Sequence, residues 1–403
     1  MKWMNKGFFA GLILMLMIAL AACSGSNESS GGSESGDGES ADSGGSGESQ
    51  EVPIGYTGPL RGPAAYYGER TTNGLNMGIN DINEAGGFEV NGTTYTFKLS
   101  ALDDKYLPNE AAANAKRLVQ EDDAKFIFTP HSGGVYAMQV FNEQSDFLIG
   151  AYTSEPGVIE EGNSLTWRIP PGYDGYLEPF TKYQMDRFGK KIAFLPTSSQ
   201  YGKDWADALK PVWEEYDGEV VFETEIDFSK DTDYYTVVTN ALKENPDVLF
   251  IGGPSEPTAL VAGQARDLGF EGGFVIMDQA KLDEMAAVLD GNMDLLEGSI
   301  GVTPLINSDY PGTDAFVEKY NELHDQNPGS EAGFHYIAVY ALAEAMKAAG
   351  TVDDPTAIME GMDEAVQNIP EEKQVYTLSG VTEEGANEIP LRVAAVEDGE
   401  VVE

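Results

Sequence analysis

The sequence predicts an α/β fold in which parallel sheets carry helices on both faces. Three observations carry this. From Val52 onward, short apolar runs alternate with helical stretches of roughly ten to fifteen residues. The apolar runs end in turns rich in Gly, Pro, Ser and Thr, such as Thr57-Gly58-Pro59 and Gly252-Gly253-Pro254-Ser255. The alternation falls into about two stretches, each about a domain long, with no close sequence repeat.

Taken in order, Val52–Tyr56 is an apolar strand, followed by a loop through Gly68 and a helix to about Glu84 with Leu75, Ile79 and Ile82 on one face. Gly86-Gly87 stops that helix. Thr94–Ala101 alternates as a strand, and an alanine-rich helix runs from 108 or 109 to about Gln120. Lys125–Phe128 and Phe147–Ile149 are strands, with a helix over Val135–Gln144 between them. Helices are expected over Gly172–Phe188, 203–216, Tyr234–Glu244 and Thr258–Leu268. Strands are expected over Lys191–Leu195, Val220–Glu225, Val248–Ile251 and Phe274–Met277. Helices follow at 314–324 and 331–349, then weaker strands near Val375–Leu378 and Leu391–Val396.

The N-terminus reads as a secretory signal. Lys2 and Lys6 precede the apolar run Phe8–Leu20, which ends in Leu20-Ala21-Ala22-Cys23. Cys23 is the only cysteine, so no disulfide can form within the chain. Leu-Ala-Ala-Cys resembles a bacterial lipobox, in which the cysteine is lipidated; an unmodified protein cut nearby is the alternative. Residues 24–50 are almost wholly Ser, Gly, Glu and Asp, a composition that cannot build a core and reads as a self-repelling tether. Such a tether holds the folded part roughly 25–30 Å from a bilayer.

The formal charge of the chain is −44. That excludes nucleic acid and anionic membrane surfaces as partners. The acids are dispersed along the whole chain, which fits a salt-adapted surface or simply an acidic extracellular protein. The three histidines, His131, His324 and His335, are too scattered to suggest a metal site. No H-E-x-x-H, Walker, G-x-G-x-x-G, calcium-loop or G-x-S-x-G pattern occurs, and lipidation of Cys23 would remove the one thiol. The expectation is a protein that is not an enzyme and carries no cofactor.

What remains is a set of polar turns at strand C-termini, where ligands of open α/β sheets bind. Around Thr129–Gly134, a hydroxyl, an imidazole and two glycines precede a helix. Gly133 and Gly134 allow close backbone approach, and the helix start favours an anion. The segment reads as a carboxylate seat, or as an ordinary strand-to-helix turn. Tyr67, Tyr152 and Tyr201 lie in glycine- or proline-bracketed turns and could clamp a small amphipathic ligand, or pack in the core.

These residues resemble the type I periplasmic binding proteins, specifically the solute-binding proteins of branched-chain amino-acid ABC importers. Thr57–Pro63 with Tyr67-Gly68 looks like the family's first loop. Gly74-x-x-x-Gly78-Ile79-x-Asp81-Ile82-Asn83-x-x-Gly86-Gly87 is similar to its first helix. His131-Ser132-Gly133 and Ala151-Tyr152-Thr153-x-x-Pro156 resemble the carboxylate site, and Gln200-Tyr201-Gly202 a second-lobe motif. Asp247–Gly253 and Gln264-Ala265-Arg266-x-x-Gly269 continue the match, which is good from Val52 to about Ala349 and weak beyond.

The resemblance implies two Rossmann-like lobes joined by three crossings, with the ligand in the interlobe cleft. The N-terminal lobe would span 51–171, completed by about 304–375, and the C-terminal lobe 172–303, completed by about 376–403. Ser132 and nearby N–H groups would hold a carboxylate, with His131 the alternative if the register slips by one. Ala151 and Thr153 would meet an ammonium group, Tyr201 would cap the ligand from the second lobe, and Tyr67 would pack on its side chain. Two departures stand out. Pro254-Ser255 replaces an aromatic after Gly252-Gly253, and the acid facing the ammonium falls at Asp278 or Gln279. Implied partners are a small amino acid or carboxylate, an ABC permease with its ATPase, and the membrane through the lipid anchor, with the protein a monomer. A sensor of the same fold, presenting an amide, urea or aromatic acid to a membrane receptor, is the alternative.

Overall fold

The computed structural model of the protein describes residues 49–403 except Pro63, Glu161 and Ser229. The expected signal segment, Cys23 and nearly all of the tether lie outside the described residues. Among the described residues no helix is long and apolar enough to cross a membrane.

The first lobe is built on six strands: β1 (Gln50–Gly58), β2 (Phe88–Val90), β3 (Thr93–Asp103), β4 (Phe126–Thr129), β5 (Leu148–Ala151) and β6 (Thr166–Arg168), in the order β2-β3-β1-β4-β5-β6. The second carries β7 (Lys191–Pro196), β8 (Glu219–Glu223), β9 (Val248–Gly252), β10 (Gly273–Ile276) and β11 (Ser299–Val302). A ribbon of β12 (Gly380–Val381) and β13 (Asn387–Glu388) precedes β14 (Val393–Glu397) and β15 (Glu400–Val402). The second sheet has the order β15-β14-β11-β10-β9-β7-β8. Apart from β2–β3, β11–β14, β14–β15 and the β12–β13 ribbon, the pairings are parallel. Strands β4, β5, β9 and β10 are buried along their whole length, which is why they read as unbroken apolar runs.

Helix Ser330–Ala349 is buried around almost its whole circumference, and its continuous apolar sequence follows from that. It lies along helix Ala65–Glu84. The two backbones approach so closely that a Cβ at Gly74 would stand 2.1 Å from the Ala332 carbonyl oxygen. A Cβ at Gly78 would stand 3.0 Å from that of Tyr336, so the four-residue glycine spacing serves helix packing.

The chain crosses between the lobes three times, over residues 169–173, 303–312 and 389–392. The last crossing comes later than the expected return at 376. Tyr376, Leu378 and Val381 belong to the first-lobe core, and Trp167 Nε1 donates to Asn387 Oδ1 at 2.7 Å. The expected strand at Val375–Leu378 is absent. Its apolar residues are buried, but the backbone serves a helix start: Gln374 and Val375 carbonyls accept from the Gly312 N–H and the Thr313 hydroxyl. The expected helix over Val135–Gln144 is two pieces, Ser132–Gln139 and Asn142–Ser145. The break accompanies burial of Asn142, whose amide donates to the Leu165 carbonyl at 2.9 Å. Strand β1 begins at Gln50, inside the expected tether, because Gln50 and Glu51 still pair with Tyr95 and Thr96.

Candidate ligand-binding site

In the first sheet the chain runs from β1 to β3 on one side and to β4 on the other. The crevice of such a reversal lies beyond the strand C-termini. The turn after β4 lies at that end and lines a cavity between the lobes. His131 caps the following helix: its Nδ1 accepts from the Gly134 N–H at 2.9 Å. That leaves Nε2 to carry the hydrogen and donate to Asp104 Oδ2 at 3.0 Å. Asp104, fully buried, also accepts from the Thr57 hydroxyl and the Tyr106 N–H. Both ring nitrogens of His131 are therefore occupied, and Tyr106 packs on the ring with centroids 4.7 Å apart. Ser132 is the first helical residue and lines the cavity. N–H groups at the first helical positions have no intrahelical acceptor, so that of Ser132, at the cavity wall, remains for a ligand.

After β5, Tyr152, Thr153 and Ser154 line the cavity, and Tyr67 approaches Tyr152 with ring centroids 6.2 Å apart. Burial pushes the phenols of Tyr67, Tyr152 and Tyr201 well above their usual range, so all three are neutral hydrogen-bonding groups. From the second lobe come Tyr201, Asp278, Gln279 and Lys281. Tyr201 occupies the first turn of helix Gln200–Glu215, which Ser199 caps by accepting from Gly202 N–H. Its hydroxyl lies 2.7 Å from Ser154 Oγ across the cleft and donates to Asp278 Oδ1. Trp205 Nε1 donates to the same oxygen at 3.0 Å.

Among the described residues, side-chain hydrogen bonds join the lobes at Ser154–Tyr201, from Gln279 Nε2 to the Tyr106 hydroxyl at 3.0 Å, and from Arg70 to Glu284 at 2.5 Å. The structure thus has its cleft shut.

Of the residues singled out from sequence, Tyr67, His131, Ser132, Tyr152, Thr153, Tyr201 and Asp278 share this cavity. Three do not line it. Gly133 packs against Pro108, whose Cγ a Cβ would meet at 2.8 Å. Ala151 is fully buried and its carbonyl accepts from Ile169 N–H at 2.9 Å, so the expected ammonium contact is spent within the sheet. Ser255 donates to Glu284 and accepts from the Lys281 N–H, holding the second-lobe turn from behind. Gln279, the alternative to Asp278, also lines the cavity but is engaged with Tyr106.

Sequence reading missed Tyr106, Ser154 and Lys281. Tyr106 sits in the left-handed region at φ 63°, held there by Asp104 accepting its N–H at 2.8 Å. Such a conformation is uncommon for a bulky side chain and marks sites where geometry is imposed. Its position just past a strand C-terminus was the available signal. For Lys281 it was a lone base three residues after Asp278 in a chain with 68 acids and 24 lysines and arginines.

Side-chain contacts between the lobes surround this cavity at the sheet ends, the arrangement of a two-lobed α/β protein with an interlobe cleft. The chain belongs to the periplasmic binding protein family, whose model matches residues 51–400. It is 28% identical over 331 residues to an amino acid binding protein of Pseudomonas aeruginosa, covering 80% of this chain and 86% of that one. It is 26% identical over 317 residues to Leu/Ile/Val-binding protein homolog 1 of Brucella suis, covering 78% and 82%. Among solved structures, the isoleucine complex of the branched-chain amino acid binding protein LivJ of Streptococcus pneumoniae superposes with a TM-score of 0.72. That match has 18% identity and covers 87% of this chain and 98% of that one. The leucine binding protein LivK of Thermotoga maritima superposes at 0.71, with 21% identity and coverage of 87% and 97%. These structures establish the shared two-lobed fold, and the family places the folded part outside the cytoplasm.

Proposed function

We propose that the chain is the solute-binding component of an ABC importer, lipid-anchored through Cys23, which captures a small amino acid or related carboxylate by cleft closure. The observation that carries the reading is the opposition of charge preferences across one cavity. The Ser132 hydroxyl and helix start favour a carboxylate, while Asp278, with one oxygen already held by Tyr201 and Trp205, favours an ammonium group. The names of the relatives, branched-chain amino acid binders among them, support the same ligand class.

Within this reading Ser132 rather than His131 meets the carboxylate, since His131 has no free nitrogen. Thr153 supplies a hydroxyl to the ammonium side, and Tyr67 packs on the side chain. Tyr201 is the closing residue, because its hydroxyl joins both lobes. A thermal-shift screen of amino acids, amides, ureas and aromatic acids tests the function. A true ligand at a hundredfold excess over Kd adds about 2.7 kcal/mol of stability. Loss of uptake of that ligand on gene deletion supports transport; binding with unchanged uptake would redirect the reading to a sensor.

A further inference from the structure

A second chamber adjoins the cavity described above. The two share Tyr152, Pro170, Asp278 and Lys281. A row of rings walls the second chamber: Tyr152 to Phe334 at 5.8 Å between centroids, Phe334 stacked on Tyr376 at 3.8 Å, and Tyr376 to Tyr310 at 5.4 Å. Tyr176 faces the chamber from the second lobe, and every crossing contributes a wall residue: Pro171, Thr303 and Pro390.

Two polar groups in this aromatic surround are under-satisfied. Thr303 is 8% exposed and its hydroxyl has no partner. Lys281 is 3% exposed, and its ammonium donates to the carbonyls of Asp278 at 2.6 Å and Gln279 at 2.9 Å. An ammonium carries three donors. None of the lysine ion pairs among the described residues includes Lys281. The other base on the chamber wall, Arg392, is committed to Asp309 and Glu403. A buried cation with no acid within ion-pair distance is costly, and an apolar pocket with a few convergent polar groups is the usual form of a ligand site.

We propose that the second chamber is a side-chain subsite, and that the ligand is an amino acid with a ring-sized side chain bearing an acceptor or acid group for Lys281 and Thr303. The inference rests on the proposed amino-acid reading of the first cavity. A branched aliphatic side chain would offer Lys281 and Thr303 no acceptor and could not stack on Phe334 and Tyr376. An aromatic side chain reaching past Lys281 stacks on the rings and presses on the crossings that set the lobe angle.

Calorimetry on the full-length chain with L-leucine, L-phenylalanine and 4-carboxy-L-phenylalanine tests this. Phenylalanine should bind at least about tenfold more tightly than leucine, and the carboxylated analogue more tightly again. Lys281→Met should weaken 4-carboxyphenylalanine by roughly tenfold or more and phenylalanine much less. Thr303→Val, a near-isosteric change, should narrow the same gap and serves if Lys281→Met fails to fold. Leucine binding as tightly as both ring-bearing ligands overturns the subsite while leaving the amino-acid reading in place. Equal losses for both ring-bearing ligands in Lys281→Met and in Thr303→Val also overturn it. Binding of none of the three, by a chain that melts cooperatively, sinks the amino-acid reading itself.

Discussion

Replacing Arg70 with methionine should impair closure while sparing the fold. Arg70 stands on the first-lobe helix Ala65–Glu84 and donates to Glu284 on the second-lobe helix Leu282–Val288, with both side chains nearly buried. The Tyr66 ring lies 4.3 Å beneath the guanidinium. Glu331 is 2% exposed and its Oε2 has no partner. Atoms of Arg70, Glu284 and Glu331 all converge on Gly329, where a Cβ would stand 2.7, 2.3 and 2.6 Å from them. Asp283 adds a further acid. Arg70 is thus the direct ion-pair partner in a cluster of three carboxyl groups, and its loss leaves Glu284 and Glu331 buried together. Breaking a buried ion pair by deleting one partner costs about 3–5 kcal/mol. Because the partners sit on different lobes, opening rehydrates them, so the cost falls on closure. Binding that requires closure should weaken by roughly two to three and a half orders of magnitude. Retention of a proton on the acid cluster moves the expected loss to the lower part of that range. Calorimetry with the identified ligand gives the affinity, and scattering gives the radius of the ligand-bound form. Affinity within about twofold of wild type, or a melting temperature of the ligand-free variant lowered as by a core mutation, would refute the reasoning.

The same cluster predicts a pH dependence. Burial first, then Glu331, pushes the Glu284 carboxyl up to about 8, against the offset of Arg70 and Lys281 and with Asp283 adding to the rise. A hydrated glutamate in the open form titrates near about 4.3. Closure therefore takes up a proton between these values, so affinity should fall as pH rises through that window; an affinity that rises with pH contradicts the assignment. Ser132→Ala should weaken binding by about 1.5–3 kcal/mol, as for a hydrogen bond to a charged group, with little change in melting temperature. His131→Ala should instead lower the melting temperature by removing a helix cap and the Asp104 contact, measured in the ligand-free protein. Cys23→Ser should release the protein from the membrane fraction with ligand affinity unchanged; a variant that stays membrane-bound after cleavage contradicts the anchor. If the acidic surface is a salt adaptation, melting temperature should rise from low to molar NaCl, and a flat or falling curve argues against it.

The fold was legible because both sheets are covered on both faces. Segments such as Val248–Ile251 and Phe274–Ile276 have to be apolar at every position, and the helices between them show a different period. The same signal misled at Val375–Leu378, since apolar runs report burial and not ladder pairing. The first-lobe half of the site was legible too, because the turn after β4 carries its Ser, Gly and His in one short stretch. The interlobe contacts were not. Arg70 and Glu284 are 214 residues apart and Tyr106 and Gln279 173, so nothing local to either residue marks its partner. Lys281 gains its meaning only from the chamber that all three crossings enclose.

Cation placement links closure to recognition. Bases are scarce in this chain, at 24 against 68 acids, and the acids are spread over its length. Among the described residues the lysines and arginines buried below a tenth of their surface are Arg70 and Lys281, and both sit where the lobes meet. Burying a cation is unfavourable unless something recovers its hydration. Arg70 recovers it from Glu284, an acid of the opposite lobe, and so favours the shut cleft with or without a solute. Lys281 has carbonyl oxygens and no acid side chain in direct contact, so an acid group on the ligand would complete its environment. One helix and a single turn, Asp278 to Val288, therefore hold both devices on the same second-lobe segment, with Ser255 tying their bases together through Lys281 N–H and Glu284 Oε2. A ligand group drawn to Lys281 and the Arg70 pair across the cleft act on one second-lobe segment, so filling the chamber would add to the tendency of the lobes to shut.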